Sequence, residues 1–466
     1  MLGQANRFAD GARVPLNYLR TVRGIEFVIA SPLARGTMGY RGIGEKDVYD
    51  MLADIKRRFH IDEDRIYLTG ISMGGSGALW LALTRPDVWA AVAAVCPAPV
   101  PEANALTSNA LNLPIRLFQG DQDPIVPVSS SREWQRRLLD AGVATDYLEY
   151  PAVRHNAWDY AYRGGALFDW LSGKRRQRDP ARVRFATTSY RYSSAYWLRI
   201  DRITPGVPAA IDARQSESAV TVTTQALDGF TLSMSHPISA VEVDGTALRF
   251  KAARTVSFHK QAGRWVAGRI AAAGKRPGLE GPAAEAVSER HIYVYGTAGS
   301  PSTDELNFRR RQAEAAAAWS TPREHLELTF PVKADSEVTQ QDLDRDDLIL
   351  FGTRETNSLI ARFAPNLPLA LAPGAADYGL LFIAPVGKHY ALVSSGLPWW
   401  TGFDESGRPA DRYAPKTFAE LSTFADYVVF KGSVAYVVAE GRFDRDWKLP
   451  AEAAEKLRST GTITVH

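Results

Sequence analysis

The stretch Arg65–Leu83, RIYLTGISMGGSGALWLAL, constrains the fold more than any other in the chain. A β-like apolar run ends in Gly70-Ile71-Ser72-Met73-Gly74, and a helix of small and apolar residues begins at once. A sharp strand-to-helix turn fits that order. The flanking glycines remove side chains that would clash there, and Gly75 and Gly77 let the helix pack closely on the strand. The neighbouring sequence predicts the sheet to which this unit belongs. IEFVIASP (Ile25–Pro32) reads as a buried strand, and Glu45–Phe59 carries Val48, Leu52, Ile55 and Phe59 at helical spacing. WAAVAAVCPA, PIRLFQG and TDYLEYP read as further strands, with helices over Ser129–Asp140 and Trp158–Leu171. Alternation of this kind predicts a parallel sheet covered on both faces.

The pattern ends at a basic polar linker, SGKRRQRDPAR. From about Phe185 to Phe258 the period becomes two, with Asp244-Gly245 as a hairpin signal, which predicts a small β-sandwich or similar β-rich module. A Gly/Pro/Ala-rich passage, AAAGKRPGLEGPAAEA, follows, and from Arg290 strand and helix alternate again, with an Ala-rich helix near Asn307–Trp319. A chain of 466 residues exceeds what one core supports. The expected organisation is therefore an α/β domain over 1–174, a β-rich module over 183–275 and a second α/β domain over 286–466.

A serine at such a turn is a nucleophile only if a base takes its proton and a carboxylate orients the base. In a sheet of this kind the order is serine, acid, histidine, each beyond the end of a strand. GDQDPIVP offers Asp121 and Asp123 after one strand, and His155 lies in the loop after the next. His155 is the only histidine of the first domain beyond the aspartates. The N–H of Met73, just after Ser72, is placed to donate to an oxyanion. Tyr40, Met73 and Trp158 are candidates to line an apolar pocket, and Arg35 to meet a carboxylate, with packing or solvation as the alternative for each.

Residues 25–172 resemble the catalytic domain of α/β-hydrolases, on the strength of GISMGG, GDQDPIVP and the His155 loop. The closest likeness is to the prolyl oligopeptidase (peptidase S9) family and to esterases of the polyhydroxybutyrate depolymerase and feruloyl esterase type. Gly120–Pro127 resembles the segment whose fourth-position aspartate orients the histidine, which implies Asp123 rather than Asp121. The β-rich module, and the segment from IYVYGTAG to DLILFGT, resemble the C-terminal extension of large bacterial prolyl-oligopeptidase-like hydrolases. Such enzymes take a second oxyanion donor from a loop after an earlier strand, and nothing before Ile25 contains it. GQANRFADGARVPLNYLRTVRG reads like the helix after that loop, so the chain is expected to begin beyond the first strands of its sheet.

The implied function is a serine hydrolase acting on a small ester, a peptide or a polymer. The alternative is an impaired relic whose later modules bind glycan, polymer or protein. No cofactor or metal is implied. Cys96 is the lone cysteine and is expected to be buried, DSEVTQQDLDRDD lacks the spacing of a calcium loop, and YGTAG and FGT read as tight turns. A net charge of +3 without a Lys/Arg run gives no basis for nucleic-acid binding. No apolar stretch is long enough to span a membrane, and MLGQANRFADGARV lacks the features of a secretory signal.

Overall fold

Tyr67–Ile71 (β1), Ala91–Val95 (β2), Ile115–Gly120 (β3) and Thr145–Tyr150 (β4) pair in parallel, in that order across a sheet. The computed structural model describes residues 27–32, 34–35, 39–216, 219–269, 274–321, 326–408 and 415–466. Every residue of β2 is buried, as a strand covered on both faces requires. Val92 and Ala94 join one apolar cluster with Leu68, Leu79 and Trp134; Ala91, Ala93 and Val95 join another with Ile71, Phe118 and Phe168. The helices that cover the sheet include Ile43–Arg58 (α1), Met73–Thr84 (α2) and Val128–Asp140 (α3). On α3, Trp134 and Leu138 lie four residues apart and are both buried, so one stripe of the helix meets the core.

Two expectations for this region are corrected. Of the strand expected over Ile25–Pro32, the described part, 27–32, joins no sheet. Phe27 packs against Tyr67 and Phe168, at ring separations of 5.9 Å. The helix expected over Trp158–Leu171 is broken into Trp158–Ala161, a turn of 3₁₀-helix and Ala166–Ser172. Gly164 and Gly165, at φ of 62° and 80°, take left-handed conformations that an α-helix excludes.

The chain divides into two compact units, Met1–Ala272 and Ala273–His466. The β-rich segment belongs to the first. Its eight strands are Arg182–Thr187 (β5), Ser194–Ala195 (β6), Leu198–Ile203 (β7), Ala209–Gln215 (β8), Val220–Gln225 (β9), Leu227–Val243 (β10), Thr246–Gln261 (β11) and Arg264–Ala267 (β12). They form one hydrogen-bonded sheet, in which β10 pairs with β7 along its first half and with β9 along its second. Asp244 and Gly245 both have positive φ, the conformation of a tight hairpin turn. Asn109 ties this sheet to α2. Its amide donates to the carbonyls of Leu83 and Ala186 and accepts from the Ala186 N–H. The sequence offers little sign of the partly buried 3₁₀ run, Pro101–Asn112, that carries it.

In the second unit a seven-stranded mixed sheet runs in the order 332–334, 291–295, 347–351, 389–396, 378–386, 427–431, 433–441. The Ala-rich helix spans Thr303–Ala317, and Trp319 lies beyond it in a short strand. Gly296 follows the 291–295 strand where another segment passes closely: a Cβ there would stand 2.0 Å from the Thr356 carbonyl oxygen. Among the described residues no helix is long and apolar enough to cross a membrane.

Glu420 is buried in this unit, and among the described residues neither of its carboxylate oxygens has a hydrogen-bond partner. Burial pushes its carboxyl up to about 8, against a weaker opposing pull from Lys416, whose Nζ is 3.9 Å away. The fold therefore favours the protonated acid. That contribution is complete below the ordinary carboxylate range and is lost as pH rises through about 8. Glu420→Gln keeps the shape without the titration. Relative to wild type, it is expected to stabilise the second unit at pH 9 by about 2 kcal/mol and to change little at pH 4. Thermal melts of both proteins at the two pH values check this.

Candidate active site

Ser72 lies between β1 and α2 with φ 52° and ψ −119°, a conformation costly for a residue with a side chain. Its N–H donates to the Val95 carbonyl at 2.8 Å, and its own carbonyl accepts from the Ser76 N–H at 3.0 Å. The turn is thus held from both sides. Gly75 is needed for this approach: a Cβ there would be 2.6 Å from the Val95 carbonyl oxygen.

The three expected side chains converge. His155 Nε2 is 3.0 Å from Ser72 Oγ, and His155 Nδ1 is 2.7 Å from Asp123 Oδ2. Asp123 Oδ1 accepts the N–H groups of Ile125 and Val126 at 2.8 and 2.9 Å. Oδ2 also accepts from the Gln119 side-chain amide at 2.8 Å. Burial raises the Asp123 carboxyl, but the hydrogen bonds from His155, Val126 and Ile125 outweigh it and hold the group below the usual carboxylate range. Asp123 is therefore ionised at neutral pH. Asp121, the other aspartate of the loop, takes no part in this chain of contacts; its N–H bonds the Tyr150 carbonyl.

Gly120 brings the acid loop against the histidine loop. A Cβ at this position would lie 2.2 Å from the Val153 carbonyl oxygen and 2.3 Å from that of Arg154. Both obstacles are backbone, so neither can swing aside. Gly120→Ala is expected to cost about 3 kcal/mol of stability, which urea unfolding would measure, and to move His155 away from Asp123.

The pocket residues fare differently. Trp158 stands edge-on to His155, with ring centroids 5.3 Å apart, and so borders the site. Tyr40 is a correction: it is buried, and its ring fills the space that Gly77 leaves open, 2.3 Å from where a Cβ would be. It packs beneath α2 instead of facing a pocket. Arg35, the candidate to meet a substrate carboxylate, is engaged by a carboxylate of the chain itself: its Nε donates to both oxygens of Asp47 at 3.0–3.1 Å. Met73 opens α2, where the first N–H groups have no partner within the helix, and its side chain is half-buried against the core. The segment searched for a second oxyanion donor, before Ile25, lies outside the described residues.

Cys96, Asp123 and His155 present potential metal-binding atoms within 4.8 Å of one another. Each of these atoms already has a partner within the protein. Burial, with Asp123 as the next cause, pushes the Cys96 thiol up to about 12, so it is a neutral thiol beside the pair. Asp123 and His155 already satisfy each other. Cys96 Sγ instead lies 3.4 Å from the His155 carbonyl oxygen, on which it can donate.

Residues 49–161 match the family described as "Putative esterase". The esterase-matched segment contains Ser72, Asp123 and His155. No curated protein matches the chain. Among solved structures, it is similar to a thermostable esterase at 28% identity, over 28% of this chain and 37% of that one, with a TM-score of 0.27. It is also similar to the acylaminoacyl peptidase of Pyrococcus horikoshii at 15% identity, over 28% of each chain, with a TM-score of 0.25. The chain thus spans about a third of the length of these proteins.

Proposed function

We propose that this protein is a serine hydrolase that cleaves carboxylic ester bonds, or related peptide bonds, through an acyl-enzyme. The observation that carries the reading is the continuous line Ser72 Oγ, His155 Nε2, His155 Nδ1 and Asp123 Oδ2, at 3.0 and 2.7 Å. His155 takes the Ser72 proton as Oγ attacks the carbonyl carbon, and Asp123 holds the ring so that Nε2 is the free acceptor. The developing imidazolium lies against an ionised carboxylate. The Met73 N–H, at the positive end of α2, faces the negative charge that forms on the carbonyl oxygen. His155 then returns its proton to the leaving group, and a water activated in the same way releases the acid. Trp158 forms part of the acyl or leaving-group wall.

The esterase match over 49–161 favours ester over peptide as the first substrate class. A kinship with prolyl oligopeptidase-like or feruloyl-type enzymes is the finer part of the proposal. The test is hydrolysis of a series of p-nitrophenyl acyl esters beside peptide p-nitroanilides, with Ser72→Ala as control. Ser72-dependent turnover of esters that exceeds turnover of anilides supports the reading. Turnover of neither class by the folded chain would leave the alternative of a binding module.

A further inference from the structure

Behind the Asp123 carboxylate lies a buried amide that the Ser72–His155–Asp123 line does not explain. Gln119 is on β3 and fully buried. Its Nε2 donates to Asp123 Oδ2 at 2.8 Å and to the Val126 carbonyl at 3.1 Å. An ionised carboxylate and a carbonyl can only accept, so the amide fits one way round, with its NH₂ toward both. Its Oε1 must then accept, and it does so from Ser131 Oγ, 2.8 Å away on α3. Ser131 is buried as well. Asp123 Oδ2 is thereby shared between two donors, His155 Nδ1 and Gln119 Nε2, while Oδ1 is held by two backbone N–H groups.

On the serine-hydrolase reading, we propose that Gln119 is a positioning residue that fixes the Asp123 carboxylate and, by sharing Oδ2 with His155, sets the pH above which His155 can accept the Ser72 proton. Four donors leave the carboxylate no rotational freedom. The Gln119 bond also draws charge from the oxygen that stabilises the imidazolium. Without it Oδ2 interacts more strongly with a protonated His155, which keeps its proton to higher pH. Ser131 acts one step further back, by fixing which way the amide faces. The other groups near the pair are Ser72 at the start of α2, the neutral Cys96 thiol after β2, and Asp121 and Arg154, which flank the pair along their own loops. All remain in the variants below, so a difference between variants reports Gln119.

The experiment is the rate of reaction of the full chain with a fluorophosphonate probe, measured from pH 5 to 9 for wild type, Gln119→Leu and Ser131→Ala. The acidic limb is expected to move up by about one pH unit in Gln119→Leu. Ser131→Ala is expected to move it less, in the same direction. An unchanged midpoint in a variant that melts like wild type overturns the proposal, even if the plateau rate falls, because a purely structural role would lower the rate without moving the midpoint. If wild type does not react at Ser72, the hydrolase reading fails, and Gln119 is judged on the histidine ring resonances. The His155 signal, assigned by its absence in His155→Ala, should then titrate at higher pH in Gln119→Leu than in wild type. Identical titrations would overturn the coupling.

Discussion

Ser72→Ala is expected to lower ester turnover by about 10⁵–10⁶-fold, to the limit of detection, without unfolding the chain. Among the described residues Ser72 Oγ hydrogen-bonds only to His155 Nε2, at 3.0 Å, so its removal deletes the proposed nucleophile and little packing. The elbow itself is held by the Ser72 backbone, through Val95 and Ser76, and those bonds survive. Alanine is no worse than serine at φ 52°, because both carry a Cβ. A kcat comparison on an activated ester, beside thermal melts, separates the two effects. A loss under tenfold would mean that the turnover arises elsewhere.

Asp123→Asn is expected to reduce kcat by about 10⁴-fold, the cost of the wrong histidine tautomer. The reason can be followed atom by atom. The N–H groups of Ile125 and Val126 require an acceptor at Oδ1, so the asparagine NH₂ must occupy the place of Oδ2. There it faces two donors, Gln119 Nε2 and His155 Nδ1. His155 can relieve the conflict by moving its proton to Nε2, which then points a hydrogen at Ser72 and can no longer act as base. A second consequence concerns pH. The carboxyl is held below its ordinary range, so the stability that the Asp123 interactions supply is present at neutral pH and falls away as pH drops through the lowered value. Asp123→Asn should remove that part of the acid sensitivity, which acid titration followed by circular dichroism would detect.

The residues that converge on the site were legible because each is announced by local chemistry at a strand end. Ser72 has its glycines, Asp123 has a loop rich in turn formers, and His155 has the required place in the order. Their side chains meet because β1, β3 and β4 run parallel and end at the same edge of one sheet. Arg35 and Tyr40 were not legible in this way. The role of Arg35 is set by Asp47, on the helix that follows, and that of Tyr40 by the missing side chain of Gly77, on a different element. Neither partnership has a periodicity or a motif. Gln119 carried a faint signal, a lone amide in the otherwise apolar end of RLFQG, but its meaning depends on Ser131 and Asp123 lying on either side of it. The break at Gly164-Gly165 shows the opposite failure, in which the apolar spacing of Trp158–Leu171 outweighed a glycine pair that was in plain view.

The central claim is that Ser72 is activated by His155, and the most direct measurement is the site of covalent labelling. The full chain would be treated with a fluorophosphonate at pH 8, digested, and the adduct located by peptide mass, in wild type and in His155→Ala. The account predicts a single adduct on Ser72 in wild type, with labelling reduced at least about 10³-fold in His155→Ala, because a serine hydroxyl without its base is a poor nucleophile. Absence of an adduct on the folded wild-type chain, or equal labelling in the two proteins, would contradict it.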